Sequence, residues 1–418
     1  MKNNFVEKIV RGIDSMSEDI SEILEFSLSD EQFVKNLVKT VEKDIYISFV
    51  LMTYNEERVI ERCLKSIQDL ADEIIIVDTG STDSTIEIIN NFNGTIQLYK
   101  QKFENDFAAI RNTLFSYAKY NWVFQIDADE YLQISKEQLI IYIALLENID
   151  IQPKIISPKL TNHDGSIVDN TRRLCKKDIN LKYYGRVHEE LRYLGSARTP
   201  FFIINSHFYH DGYQQEIIKK KKKYLRNIAL TELMIVEEEN NPRWYYFLAR
   251  EKMYNKDSYQ TIVPLLNKGL MLSQINDMAY CWGLIELYSK VPTIFIDFAL
   301  IYSSLRYVKE RTPECLDSYY YELFFKSVEI KQELFEENGR NLEAIMNLEG
   351  GISFINKEGD HMFWLLGWNY LACRRDDLAT IMWKKMKTQE SISSLHAVLD
   401  AIKDEVCSCE SRGDEGDI

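Results

Sequence analysis

Trp122-Val123-Phe124-Gln125-Ile126-Asp127-Ala128-Asp129-Glu130 decides how this chain folds. A largely apolar, β-prone run leads straight into two aspartates one residue apart. It is too short for a helix and reads as a buried strand ending in acid. The C-terminal ends of parallel strands are where open α/β sheets bind ligands. Two carboxylates there suit a divalent cation, and such a cation suits a diphosphate. The stretch therefore predicts a nucleotide site at a strand end.

Working outward, the same grammar repeats. Residues 46–53 are β-rich and nearly all apolar, and residues 56–70 have helical spacing. Glu73-Ile-Ile-Ile-Val-Asp78 is a second buried strand, followed by a helical stretch at 82–91 with Ser81 or Thr82 as its natural cap. Residues 95–100 alternate like a strand, and 106–119 are helical before the run at 122–127. This β-α-β-α-β-α-β order predicts a mostly parallel sheet with helices on both faces. Ahead of it, Phe5, Val6, Ile9, Val10 and Ile13 have helical spacing, which Phe33, Leu37 and Val41 continue.

Residues 151–210 are strand-rich and irregular and carry His163, His188, His207 and His210. After about 215 the chain turns helical. Phe363, Leu366, Gly367, Tyr370, Ala379 and Trp383 have the spacing of a tetratricopeptide helix pair. Tyr245, Leu248, Ala249, Thr261 and Leu265 form a poorer copy, and a plain helical bundle is the alternative. The expected organisation is a helical segment at 1–43, an α/β domain at 44–215, a helical domain at 216–405 and a disordered tail at 406–418.

The 418 residues carry a net charge of −15, which disfavours a duplex nucleic-acid partner. A nucleotide held through a metal stays open, because the metal brings its own charge. Seven cysteines without zinc-finger spacing point to reduced thiols in a cytosolic protein. The start, Met1-Lys-Asn-Asn-Phe-Val-Glu-Lys, has no apolar core, and no stretch approaches about 18 apolar residues, so neither a signal peptide nor a membrane span is expected.

Four segments sit where ligands should bind: Thr53-Tyr54-Asn55-Glu56, Asp78-Thr79-Gly80-Ser81-Thr82-Asp83, Arg111-Asn112, and Asp127-Ala128-Asp129-Glu130. In that order and spacing they resemble the inverting family 2 glycosyltransferases of GT-A fold, over roughly residues 44–215. Thr171-Arg172-Arg173-Leu174, Tyr184-Gly185-Arg186-Val187-His188-Glu189-Glu190 and Tyr209-His210-Asp211-Gly212-Tyr213 follow. With the helical ends, the chain looks like the bacterial peptide S/O-glycosyltransferases of glycocin (sublancin-type) bacteriocin biosynthesis. Thr79 departs from the family pattern, where many members carry a second aspartate.

The resemblance implies a GT-A, Rossmann-like catalytic domain with an all-α tetratricopeptide-like domain behind it. It implies a UDP-sugar donor, Mg²⁺ or Mn²⁺, a bacteriocin precursor peptide as acceptor, a homodimer, and no stable membrane association. Thr53, Tyr54, Asn55 and Glu56 fall in the donor site with Asp78, Asp127, Ala128 and Asp129. A uracil ring offers one N–H and two carbonyls, which suits Asp78; the alternative is that Asp78 only caps the Gly80 turn. Arg111 faces the diphosphate or the sugar, or else makes a surface ion pair. Asp127 meets the ribose and Asp129 the metal, with His210 the second ligand by the resemblance. His188 faces the diphosphate or is a buried structural histidine. Inversion needs a base opposite the leaving group: Glu189 first, Glu190 second. The five lysines at 219–223 form a solvated face or meet an acidic ligand. Three rivals remain: an acceptor of lipopolysaccharide or cell-wall glycan, a helical-repeat scaffold with a degenerate transferase domain, and a nucleotidyltransferase on a similar sheet.

Overall fold

The computed structural model describes residues 13–15, 28–162, 165–196, 199–210, 217–276, 278–347 and 358–410. The chain divides into two compact units, Met1–Glu239 and Asn240–Ile418.

In the first unit the strands are β1 (Ile13–Ser15), β2 (Ile47–Thr53), β3 (Glu73–Asp78), β4 (Ile96–Lys100), β5 (Trp122–Gln125), β6 (Glu130–Leu132), β7 (Ile155–Asn162), β8 (Ile167–Val168), β9 (Leu174–Lys176), β10 (Leu181–Tyr184), β11 (Glu190–Tyr193) and β12 (Phe202–His210). Its helices are α1 (Glu31–Val41), α2 (Ile60–Ile67), α3 (Thr85–Asn91), α4 (Phe107–Tyr117), α5 (Lys136–Asn148) and α6 (Ile217–Glu237). Ten strands form one sheet in the order β1-β12-β7-β9-β5-β2-β3-β4, with β6 on β12 and β8 on β7; β10 and β11 pair separately. β5, β2, β3 and β4 are mutually parallel, as their order in the sequence implies. β9 then inserts antiparallel between β5 and β7, so the sheet is mixed beyond β5. The result is a GT-A-like α/β architecture, with the parallel half carrying the predicted strand ends.

β2, β3 and β5 are buried on both faces, as their largely apolar runs require, while the edge strand β4 is half-exposed. On one face Phe49 and Phe124 stack at 4.9 Å. Burying each ring contributes about 1.5–3 kcal/mol. On the other face Val50, Ile75, Val77 and Val123 pack under Ile110 and Leu114 of α4. Asp106 caps α4 by accepting from the Ala109 N–H at 2.8 Å.

Several expectations are corrected. Ile13, read as helical, lies in β1 and pairs antiparallel with Ile204 of β12; three residues are too few to overwrite a helical pattern by alternation. Helices α2 and α3 start later than residues 56 and 82, and neither Ser81 nor Thr82 caps α3, whose N-cap is Ser84. Helix α6, placed by the sequence with the helical domain, belongs to the first unit.

Among the described residues the second unit is all-α: α7 (Pro242–Tyr254), α8 (Tyr259–Asn276), α9 (Met278–Tyr288), α10 (Phe298–Lys309), α11 (Leu316–Met346), α12 (Asp360–Ala372), α13 (Asp376–Trp383) and α14 (Gln389–Glu410). Leu366, Tyr370, Ala379 and Met382 form the buried seam between α12 and α13. Gly367 faces the Trp383 indole, where a Cβ would overlap the ring. The expected tail is helical through Glu410, and residues 411–418 lie outside the described residues. Among the described residues no helix is long and apolar enough to cross a membrane.

Candidate active site

The site is built where β2, β3 and β5 end. Thr53 and Asp78 are register partners on β2 and β3, so their side chains emerge together on one face. Both are buried, at 2% and 1% exposure. Asp78 Oδ1 accepts from the Gly80 and Ser81 N–H groups, each at 3.0 Å. Gly80 has φ 118°, a turn that only glycine adopts without strain. The capping alternative therefore describes one oxygen of Asp78. Its other oxygen, Oδ2, and the Thr53 hydroxyl are buried with no hydrogen-bond partner among the described residues. Such atoms are rare in a folded interior and mark a place for a ligand donor.

The two loops above them are laced together. Asn55, in the left-handed region at φ 57°, donates its N–H to Ser81 Oγ at 2.9 Å and accepts from the Thr82 N–H at 2.7 Å. The Glu56 N–H donates to Thr85 Oγ1 at 2.7 Å, and the Ser84 N–H to a Glu57 carboxylate at 3.0 Å. This lacing explains the late starts of α2 and α3, because their would-be first turns are spent on each other. Tyr54, 57% exposed, is left as an open aromatic face at the strand end.

The third strand end is an ionic knot. Asp127 Oδ1 accepts from Arg111 Nη2 at 3.0 Å, and Oδ2 from Arg173 Nη2 at 2.8 Å. Arg111 Nε also donates to Glu189 Oε1 at 2.5 Å. Arg173 Nη2 reaches Glu130 Oε1 at 2.5 Å, and Glu130 Oε2 accepts the Asp127 N–H at 2.9 Å. Burial would raise the Asp127 carboxyl, but the two guanidinium groups outweigh it and hold it well below the usual carboxylate range. Burial pushes Glu130 the other way, up to about 8, with Arg173 opposing and Asp127 adding to the rise. Arg111 is thus a buried ion-pair centre and not a surface one. Asn112 beside it clamps β10, donating to the Tyr183 carbonyl and accepting its N–H, each at 2.9 Å.

Ala128 is buried and Asp129 half-buried in the turn between β5 and β6. The backbone of His210 pairs with Glu130, which brings the end of β12 to the acidic turn. The side chains of His210 and of residues 219–222, and Asp211-Gly212-Tyr213, lie outside the described residues. Glu189 and Glu190 end the β10–β11 loop, after His188 at φ 51°. Glu190 accepts from Arg192 Nε at 3.0 Å. So the structure joins Arg111, Asp127 and Glu189 directly, sets Thr53 beside Asp78, and leaves Glu190 in a different ion pair. Sequence reasoning missed Arg173 and Glu130. The available signal was an Arg pair just before β9 and a third acid after Asp129.

A metal fits this site in one way. Both oxygens of Asp127 are taken by arginines, and the described residues hold no cluster of three or more metal-binding side chains. A carboxylate from Asp129 with diphosphate oxygens is a donor set that Mg²⁺ or Mn²⁺ accepts.

Residues 48–157 match the Glycosyl transferase family 2 model. The SPbeta prophage-derived glycosyltransferase SunS of Bacillus subtilis is 28% identical over 389 residues, covering 90% of each chain. Chondroitin synthase of Pasteurella multocida is 30% identical over 129 residues, 30% of this chain and 13% of that protein. Among solved structures, S. aureus TarS 1-349 in complex with UDP-GlcNAc aligns at a TM-score of 0.35 and 19% identity, covering 69% of this chain and 92% of that one. The chain carries a glycosyl transferase family 2 domain and is similar over nine-tenths of its length to the glycosyltransferase SunS.

Proposed function

We propose that this chain moves a hexose or N-acetylhexosamine from a UDP-sugar to Cys or Ser/Thr side chains of a ribosomal bacteriocin precursor peptide, with inversion. The observation that carries the donor assignment is the pair of buried, unpartnered acceptor atoms, Asp78 Oδ2 and Thr53 Oγ1, at adjoining strand ends. A uracil N3–H satisfies an acceptor there, and Tyr54 offers a face for stacking. The peptide acceptor rests on the likeness to glycocin enzymes and to SunS along most of the chain.

In this reading the diphosphate lies over the Asp127–Asp129 turn. Asp129 and His210 would hold the cation, which when bound would supply positive charge to the leaving diphosphate. Asp127, fixed from both sides by arginine, accepts from the ribose hydroxyls through its remaining lone pairs. His188 lies by the diphosphate. Glu189 takes the proton from the acceptor S–H or O–H as the new bond forms at the anomeric carbon and the bond to UDP breaks. A thiol is partly ionised near neutral pH and asks less of the base than a hydroxyl.

The test is to incubate the full chain with candidate UDP-sugars, Mn²⁺ and a precursor peptide containing Cys and Ser, then weigh the peptide. A hexose or N-acetylhexosamine increment that vanishes with Asp129→Ala supports the proposal. Absence of both transfer and UDP-sugar hydrolysis with every metal overturns it.

A further inference from the structure

The β10–β11 pair hangs outside the main sheet and carries Glu189 at its loop. One side of it is tied to α4: Asn112 clamps Tyr183, and the Phe107 N–H donates to the Arg186 carbonyl at 3.0 Å. The other side is tied to the end of α6. Arg186 Nε donates to Glu237 at 2.7 Å, and its backbone N–H meets Met234 Sδ at 3.2 Å. Arg192 lies on β11 with its side chain 9% exposed. It forks onto both oxygens of Glu238, with Nη2 to Oε2 at 2.9 Å, while its Nε holds Glu190. Its guanidinium also covers the Tyr184 ring at 4.9 Å.

Two acids at the end of α6 face the negative pole of their own helix, and the last turn has no basic residue to offset them. Their charge is balanced instead by Arg186 and Arg192 across the chain. The arrangement fixes both ends of the loop that bears the candidate base. It also commits Glu190 to Arg192, leaving Glu189 to Arg111.

We propose that Arg192 and Glu238 are positioning residues that hold the β10–β11 loop so that Glu189, and not Glu190, serves as the base. This rests on the reading of Glu189 as the base. A bidentate charged pair fixes direction as well as distance, and a base displaced by about 1 Å loses roughly a hundredfold in rate.

The test uses the full chain with a serine-containing peptide and its cysteine counterpart. Glu238→Ala lowers kcat for the serine peptide by about ten- to a hundredfold and for the cysteine peptide by less, while the donor KM stays within about twofold. Arg192→Lys, which keeps the charge and loses the fork, falls between. In a Glu189→Gln background Glu238→Ala adds no further loss. Glu238→Gln, which preserves volume, replaces it where Glu238→Ala lowers the melting temperature. Equal loss with both peptides, no loss, or full additivity with an impaired Glu189→Gln overturns the positioning role alone. Unimpaired serine transfer by Glu189→Gln overturns the base reading, and this proposal with it.

Discussion

Arg111 donates from Nε to Glu189 Oε1 at 2.5 Å, joining the loop after β10 to the knot at the end of β5. The same guanidinium holds Asp127 through Nη2. Glu189 and Asp127 therefore share one buried cation, and neither shifts without the other. Replacing Glu189 by Gln keeps an oxygen for Arg111 but removes the proton acceptor. Serine transfer should fall by about a hundredfold or more, within the range for a lost general base, and cysteine transfer by much less. The measurement is kcat for matched Ser and Cys peptides; an equal loss contradicts the account.

Asp78→Asn separates the two jobs of that side chain. The amide oxygen still accepts from Gly80 and Ser81, so the turn persists. The unpartnered Oδ2, in contrast, becomes an N–H group, which in the proposed donor site would face the uracil N3–H. Losing a hydrogen bond to a charged acceptor costs about 1.5–3 kcal/mol. The donor KM should rise about tenfold or more, with the melting temperature unchanged. Isothermal titration with UDP reads the same loss without catalysis.

Glu130 sets a pH dependence whose sign can be worked out. Burial raises its pKa from the ordinary 4.5 to about 8. Between those values the folded chain holds a proton that the unfolded chain releases. Stability contributed by this group therefore falls as pH rises from 4.5 to 8. Asp127 acts in another window: its lowered pKa gives stability above the ordinary 3.8 that is lost as pH falls through the folded value. Glu130→Gln should flatten the decline in melting temperature between pH 5 and 8, measured in chelator so that no metal intervenes. A slope unchanged by Glu130→Gln contradicts the assignment.

Losing Arg173 should destabilise the knot. It is the shared partner of Asp127 and Glu130, with its own side chain 12% exposed. Arg173→Met takes one of its two cations from the buried Asp127 carboxylate, and breaking a buried pair from one side costs about 3–5 kcal/mol. Chemical denaturation should show that loss in full. Adding Glu130→Gln should recover little of it below about pH 8, because Glu130 already holds its proton there.

β2, β3 and β5 were legible because each is buried on both faces and largely apolar, and β4 because its residues alternate: Glu73–Asp78 is a strand at the residues expected. The nearby helix starts were not, because the lacing of Glu56 to Thr85 and Asn55 to Thr82 is a meeting of loops far apart in sequence. Arg173 was visible as a residue but not as a partner. Its place beside Asp127 depends on β9 entering antiparallel next to β5, and no local pattern encodes that insertion. The pairing of Ile13 with Ile204 was hidden for the same reason. In the helical unit the spacing of Phe363 to Trp383 was readable because small and large residues must alternate where two helices approach closely.

That close approach makes the last prediction. Gly367 on α12 lies against the Trp383 indole of α13, and a Cβ there would overlap several ring atoms. The ring is not free to swing away: its Nε1–H donates to the Trp364 carbonyl at 3.3 Å, and Trp368 packs edge-on at 5.2 Å. Alanine is ordinarily the better helix former by about 1 kcal/mol. Here overpacking should outweigh that gain and destabilise the second unit by about 1–3 kcal/mol. Gly367→Ala should therefore lower the melting temperature, and Gly367→Ala with Trp383→Phe should restore it by removing the ring that the methyl meets. A stabilised Gly367→Ala would show that α12 and α13 do not meet at this glycine.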